Sequence, residues 1–190
     1  MRAASLFLIA LCFACGGSAD EPGEVAATTG IGGEDTRPAT FEWGTPIGDD
    51  LRVGGQPSAG DLEAAAAAGV RTVISLRTEG EAGSEGERET TERVGLRFVS
   101  IPIAGPGDLT EANARALDEA LDGSGPAILH CASGNRVGAL LGLRAYLVEG
   151  ATGDEAMSLA AEAGMTRLGP ALRAKLSELC ADEPGRCPSE

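Results

Sequence analysis

The chain has 190 residues, 43% of them hydrophobic but only 3% aromatic, and a formal net charge of −14. That suffices for one domain of about 140 residues with a core of Ala, Leu, Val and Ile. The charge excludes nucleic acid as a partner, since no basic run is present to neutralise phosphates, and any anionic substrate must be held by local donors against long-range repulsion.

Met1-Arg2-Ala3-Ala4-Ser5 and the apolar run 6–14 form a positive start and a segment too short to span a bilayer, as in a secretory signal. Leu11-Cys12-Phe13-Ala14-Cys15-Gly16-Gly17-Ser18 resembles a bacterial lipobox with Cys15 as the lipidated residue. Cys12 stands where a Leu is typical, so cleavage without a lipid is the alternative. Residues 1–15 are therefore expected to export the domain from the cytoplasm, with membrane contact only through the lipid anchor. Residues 16–40, rich in Gly, Ala, Thr, Glu and Asp without apolar periodicity, read as a disordered tether.

The domain is expected over 41–180. Leu51–Ser58 reads as a short strand passing into a turn, and Ser58 is placed to cap a helix running through Asp61 to Ala68, stopped by Gly69. Val70–Leu76 is the next strand and 80–86 a loop rich in Gly and Glu. A polar helix follows over 87–94, with Glu85, Glu87, Glu89 and Glu92 as a solvated face. Leu96–Ile103 is a strand with Pro102 near its end, because a ladder interior would exclude it. After the loop 104–108, a helix over 110–121 places Ala114, Leu117 and Leu121 on one face. Ala127–His130 reads as a buried parallel strand, and a loop beginning at Cys131 leads into a helix over 137–148, ended by Gly150. Helices over 153–163 and 170–180 close the domain. In the tail, 181–190, a Pro184-Gly185 turn can bring Cys180 and Cys187 together, and in an exported protein a disulfide between them is expected.

Strands alternating with helices define a single α/β domain, its mostly parallel central sheet covered by helices on both faces. Ligands in such folds sit at the carboxyl ends of the strands. His130-Cys131-Ala132-Ser133-Gly134-Asn135-Arg136 falls there. Loop N–H groups and the helix dipole at that position hold an anion and favour thiolate over thiol. Arg136 adds a planar fork suited to oxyanions. Cys131 is thus a candidate nucleophile, with Ala132, Ser133, Gly134 and Asn135 as a substrate-binding loop. The alternative is a buried structural cysteine at a strand end. No metal site is expected, because His130 is the only His and no paired ligand spacing occurs. No cofactor is expected either, since no glycine fingerprint follows the first strand.

The loop, taken with Gly55-Gln56-Pro57-Ser58, Gly69-Val70, Val73-Ile74-Ser75-Leu76-Arg77, Glu81, Gly95-Leu96 and Ile101-Pro102, resembles the cysteine phosphatases in their dual-specificity-like branch. The similarity is greatest to the beta-lactamase hydrolase-like protein, phosphatase-like domain, over about residues 51–148. The resemblance implies that Cys131 forms a cysteinyl-phosphate and Arg136 clasps the phosphoryl oxygens. It implies that His130 orients the loop, the alternative being a buried strand-end His. It also implies that an upstream Asp protonates the leaving oxygen. Asp108 is the candidate acid; otherwise it lies in the N-terminal capping region of the 110–121 helix. Gln56 and Arg77 match by position alone, Arg77 being either a second cation near the pocket or a surface ion-pair partner of Glu79 or Glu81.

Two features depart from the phosphatases. Four residues, not five, separate Cys131 from Arg136, and Val137 replaces the Ser or Thr that usually follows. The spacing Cys-x-x-Gly-x-Arg is similar to the active loop of rhodaneses, which implies a Cys131 persulfide and sulfur transfer as the alternative activity. A non-catalytic anion-binding module is the third reading. The implied partner is a phosphate- or sulfur-containing substrate, and nothing in the sequence speaks to oligomeric state.

Overall fold

The computed structural model describes residues 41–189; the export segment, Cys15 and the tether expected over 16–40 lie outside the described residues. In chain order the elements are β1 (Thr45–Ile47), β2 (Leu51–Gly54), α1 (Ala59–Ala67), β3 (Thr72–Ser75), α2 (Glu87–Arg93), β4 (Arg97–Ser100), α3 (Glu111–Leu121), β5 (Ala127–His130), α4 (Asn135–Leu147), α5 (Gly153–Glu162) and α6 (Gly169–Leu179). Ser58 caps α1 in a reciprocal capping box with Asp61, and Thr152 does the same for α5 with Glu155.

The strands lie in the order β1-β2-β5-β3-β4. All neighbours pair parallel except β1, which runs antiparallel to β2 with Thr45 opposite Val53. β1 has no sequence signature: Thr-Pro-Ile is too short to show a period, and Pro46 is tolerated only because the strand lies at an edge. β5 occupies the middle, and all four of its residues are buried. Alternation along the strands sorts the core. Val73 and Ile128 pack with Leu62 and Ala65 of α1 on one face. Val53, Ile74 and Leu129 pack with Leu117 of α3 and Val137, Leu140 and Leu141 of α4 on the other.

Beyond that second face, Leu143 and Tyr146 of α4 meet Ala156 and Ala160 of α5 and Leu172 and Leu176 of α6. Helix α4 is therefore enclosed on nearly every side, which is why its sequence shows no apolar stripe. Gly138 and Gly142 lie one turn apart where α5 crosses. A Cβ at Gly138 would stand 2.3 Å from the Ala160 carbonyl oxygen, and one at Gly142 2.6 Å from that of Ala156.

The segment after α6 packs on the domain. Cys180 and Cys187 are joined in a disulfide, with Cα atoms 5.3 Å apart. Arg186 Nη2 donates to the carbonyls of Tyr146 at 2.7 Å and Ala151 at 3.0 Å, and Ser189 N donates to Asp154 Oδ1 at 2.7 Å. Among the described residues no helix is long and apolar enough to cross a membrane.

Candidate active site

Parallel pairing puts Gly54 and Ser75 beside His130, so three chains leave the sheet at one edge. The chain leaving β5 is pinned at once. Cys131 N donates to the Gly54 carbonyl at 3.3 Å, and Gln56 N donates to that of Ala132 at 3.4 Å. A Cβ at Gly55 would stand 3.1 Å from the Ala132 oxygen, a tight contact that glycine relieves where the chain leaving β2 meets the loop. The loop then curls around the sulfur: Gly134 N donates to Cys131 Sγ at 3.1 Å. The curl requires Gly134 at φ +84°, the left-handed region that glycine adopts without strain. It also starts α4 at Asn135, two residues before the expected Val137. Cys131 is 1% exposed. No side chain caps α4, so its first-turn N–H groups, which lack intrahelical acceptors, are left for an anion.

Arg136 sits in that first turn and is already engaged. Its Nη1 donates to Glu81 Oε2 at 2.9 Å and to the Ile103 carbonyl at 2.9 Å, and its Nη2 donates to Glu81 Oε1 at 2.5 Å. A guanidinium has five N–H donors. The three bonds leave Nε–H and the second Nη2–H, which lie side by side and can take two oxygens of an oxyanion. Arg136 in turn holds the Glu81 carboxyl down at about 2, helped by a bond from Thr78 N and opposed by burial. The Arg136 guanidinium is pushed up from its ordinary value, chiefly by its bonds to Glu81, with the Cys131 sulfur adding to the effect.

Arg77 is buried, 6% exposed, rather than at the surface. Its Nε lies 3.2 Å from Glu81 Oε1, an ion-pair contact, while Nη1 donates to Gln56 Oε1 and Nη2 to the Ala82 carbonyl. One carboxylate thus stands between two guanidinium groups. Gln56 continues the chain by donating Nε2–H to Glu87 Oε1 at 2.9 Å. That oxygen lies 2.7 Å from His130 Nε2, a close contact without the alignment of a good hydrogen bond. Glu87 therefore departs from the solvated face expected of it: it is 7% exposed, because the enclosed His130 ring leaves a buried nitrogen that needs a polar neighbour. Glu85, Glu89 and Glu92 are exposed. The result is a continuous polar chain from His130 through Glu87, Gln56, Arg77 and Glu81 to Arg136.

The remaining candidates divide. Ala132 and Ser133 are exposed on the outer side of the loop. Asn135 faces inward: its Oδ1 accepts from Thr166 N at 2.9 Å, Thr166 Oγ1 at 3.2 Å and Leu168 N at 3.1 Å, bracing the loop against the turn between α5 and α6. Asp108 Oδ2 accepts from Ala104 N at 2.7 Å and Gly105 N at 3.3 Å, closing its own turn, and Thr110 rather than Asp108 caps α3. A cleft of about 550 Å³ opens over the loop, walled by Thr78, Glu81, the 104–106 turn, Ser133, Arg136 and Arg167. Arg167 had no signature in the sequence; it reaches the site only through the packing of α5 and α6. Among the described residues no cluster of His, Cys, Asp or Glu suits a metal ion.

A cysteine loop between the central strand and an uncapped helix N-terminus, with an arginine in that helix's first turn, sits here in a fold shared with the cysteine phosphatases. The structure is similar to Tk-PTP in its active form, with a TM-score of 0.56 and 19% identity over 70% of this chain and 95% of that one. It is also similar to P. aeruginosa TpbA solved with phosphotyrosine, with a TM-score of 0.50 and 18% identity over 73% of this chain and 89% of that one. The chain belongs to the family of the beta-lactamase hydrolase-like protein, phosphatase-like domain, which matches residues 45–147. A curated relative, the beta-lactamase hydrolase-like protein of Agrobacterium fabrum, is 32% identical over 95 residues, 47% of this chain. The match covers 22% of that relative, so this chain corresponds to about a fifth of its length.

Proposed function

We propose that this phosphatase-like domain hydrolyses phosphate monoesters outside the cytoplasm, through a cysteinyl-phosphate on Cys131. The observation that carries the reading is Cys131 Sγ held by the Gly134 N–H at the uncapped start of α4, with Arg136 keeping two adjacent donors for an oxyanion. The phosphoryl group settles on the first-turn amides and on Nε–H and Nη2–H of Arg136. Sγ attacks phosphorus; the P–S bond forms as the ester P–O bond breaks. Asp108 gives the leaving oxygen its proton from the turn that walls the cleft, using Oδ1, which has no partner among the described residues. Water then cleaves the P–S bond, releasing inorganic phosphate and the thiolate.

A second reading rests on the four-residue spacing and on Val137: a tighter loop without a following hydroxyl suits a Cys131 persulfide and sulfur transfer. One assay pair separates the two. The proposal expects phosphate release from an aryl phosphate, lost in Cys131→Ser, and a phosphoryl adduct on Cys131 by mass spectrometry of trapped wild type. Thiocyanate formed from thiosulfate and cyanide, with no phosphate release, overturns it in favour of sulfur transfer. Silence in both assays leaves an anion-binding module.

The location is part of the same proposal. Arg2, the apolar run 6–14 and the Ala14-Cys15-Gly16 junction support export and lipidation at Cys15. The Cys180–Cys187 disulfide suits an oxidising compartment.

A further inference from the structure

The chain carries 29 acidic residues against 15 Lys and Arg, so a guanidinium at its surface has carboxylates to choose from. Arg88, Arg115, Arg144 and Arg186 are drawn into ion pairs. Arg167, like Arg71, is exposed and has no hydrogen-bond or ion-pair partner among the described residues, and it stands on the wall of the cleft together with Ser133 and Arg136.

Its backbone is not adrift. The residues on either side, Thr166 and Leu168, both donate to Asn135 Oδ1, and Asn135 lies between Gly134 and Arg136 in the active loop. The two turns approach closely: a Cβ at Gly134 would stand 3.7 Å from the Gly164 carbonyl oxygen. The backbone of Arg167 is therefore held in fixed register with Cys131 through the Asn135 side chain.

The phosphoryl position already has its donors, in the α4 amides and the two remaining N–H groups of Arg136. The cleft, at about 550 Å³, lies in the range that admits a drug-sized ligand rather than a phosphate alone. A further cation on its wall meets the other part of the substrate. We infer that Arg167 is a specificity-determining residue that selects, among phosphate esters, those whose remainder carries a second anion, a carboxylate or another phosphate. The inference deepens the phosphate-ester reading and rests on it.

Phosphonates are not hydrolysed, so binding can be read without turnover. Calorimetric titration of the full chain compares phenylphosphonate with its 3- and 4-carboxy derivatives and with 1,3- and 1,4-phenylenediphosphonate, the two sets separating carboxylate from phosphate as the second anion. At least one doubly anionic probe should bind about two- to fivefold tighter than phenylphosphonate, as an exposed charge pair allows. Arg167→Ala should bring that ratio to about one, and Arg167→Lys should restore part of it, since the lysine keeps the charge but not the fork. Equal binding of all probes by the wild type overturns the inference. So does an Arg167→Ala variant that keeps the ratio, or the absence of binding by any probe. Phosphate release without the preference overturns the selection alone; the preference without phosphate release overturns hydrolysis and leaves the selection standing.

Discussion

Glu81 is the residue on which the site's response to acid turns. Its folded-state value of about 2, against 4.5 for the ordinary carboxyl, is set first by the Arg136 bonds. A depressed acid stabilises the fold above its unfolded value and loses that contribution as pH falls through the folded one. The pair should be fully effective above about pH 5 and should fade between about 4.5 and 2. Glu81 is about a quarter exposed, so solvent screening cuts its worth to roughly 1–2 kcal/mol. Urea unfolding of wild type and Glu81→Gln should differ by that amount near pH 6 and converge near pH 2; a gap that persists at pH 2 would show that packing, not charge, holds the pair. Cys131 and Arg136 could be found in the sequence because they are neighbours on one loop and their chemistry is local. Glu81 was visible through the family resemblance and as an ion-pair candidate for Arg77, but its bond to Arg136 was not, and the role of Glu87 was hidden. Its partner, His130, lies on a strand far along the chain, and no spacing announces such a meeting.

Helix α4 carries both the start of the site and the centre of the packing. Gly138 is the position where these two duties meet, since a methyl there would strike the Ala160 oxygen and lie 2.6 Å from Met165 N. Both obstacles are backbone and cannot swing aside. Gly138→Ala should therefore cost about 1–3 kcal/mol by overpacking, outweighing the gain in helix propensity of about 1 kcal/mol. Because α5 leads into the turn that donates to Asn135, the same change should also lower kcat/KM. Thermal melts and initial rates on one preparation check both, and a variant more stable than wild type would contradict the close crossing. The strands and helix α1 were legible because apolar runs and the Ser58 cap act within a few residues. The short edge strand β1 was not, since its pairing is dictated by β2 alone.

For the molecule as a whole, alternation of strands and helices announced a parallel α/β domain, but nothing in it fixed the order β1-β2-β5-β3-β4. That order follows from which strands can be buried on both sides, a property of the assembled layers. The proposed export belongs to the same level. Cys15→Ser should move the protein from the membrane fraction to the soluble extracytoplasmic fraction, read by fractionation and immunoblot. Wild-type protein already soluble outside the cell would replace the lipid anchor with simple secretion.

The family match ends at residue 147, with the last turn of α4, while the donors that hold Asn135 lie at 166 and 168. The stretch that the family match covers and the stretch that keeps the loop's shape are thus different lengths of chain. Excision at that boundary would retain the thiol and its guanidinium. It would also strip the outer side of Leu143 and Tyr146 and leave a buried amide oxygen without donors. Grafting this loop into another protein means carrying α5 and α6 with it, for the portable unit is larger than the matched one.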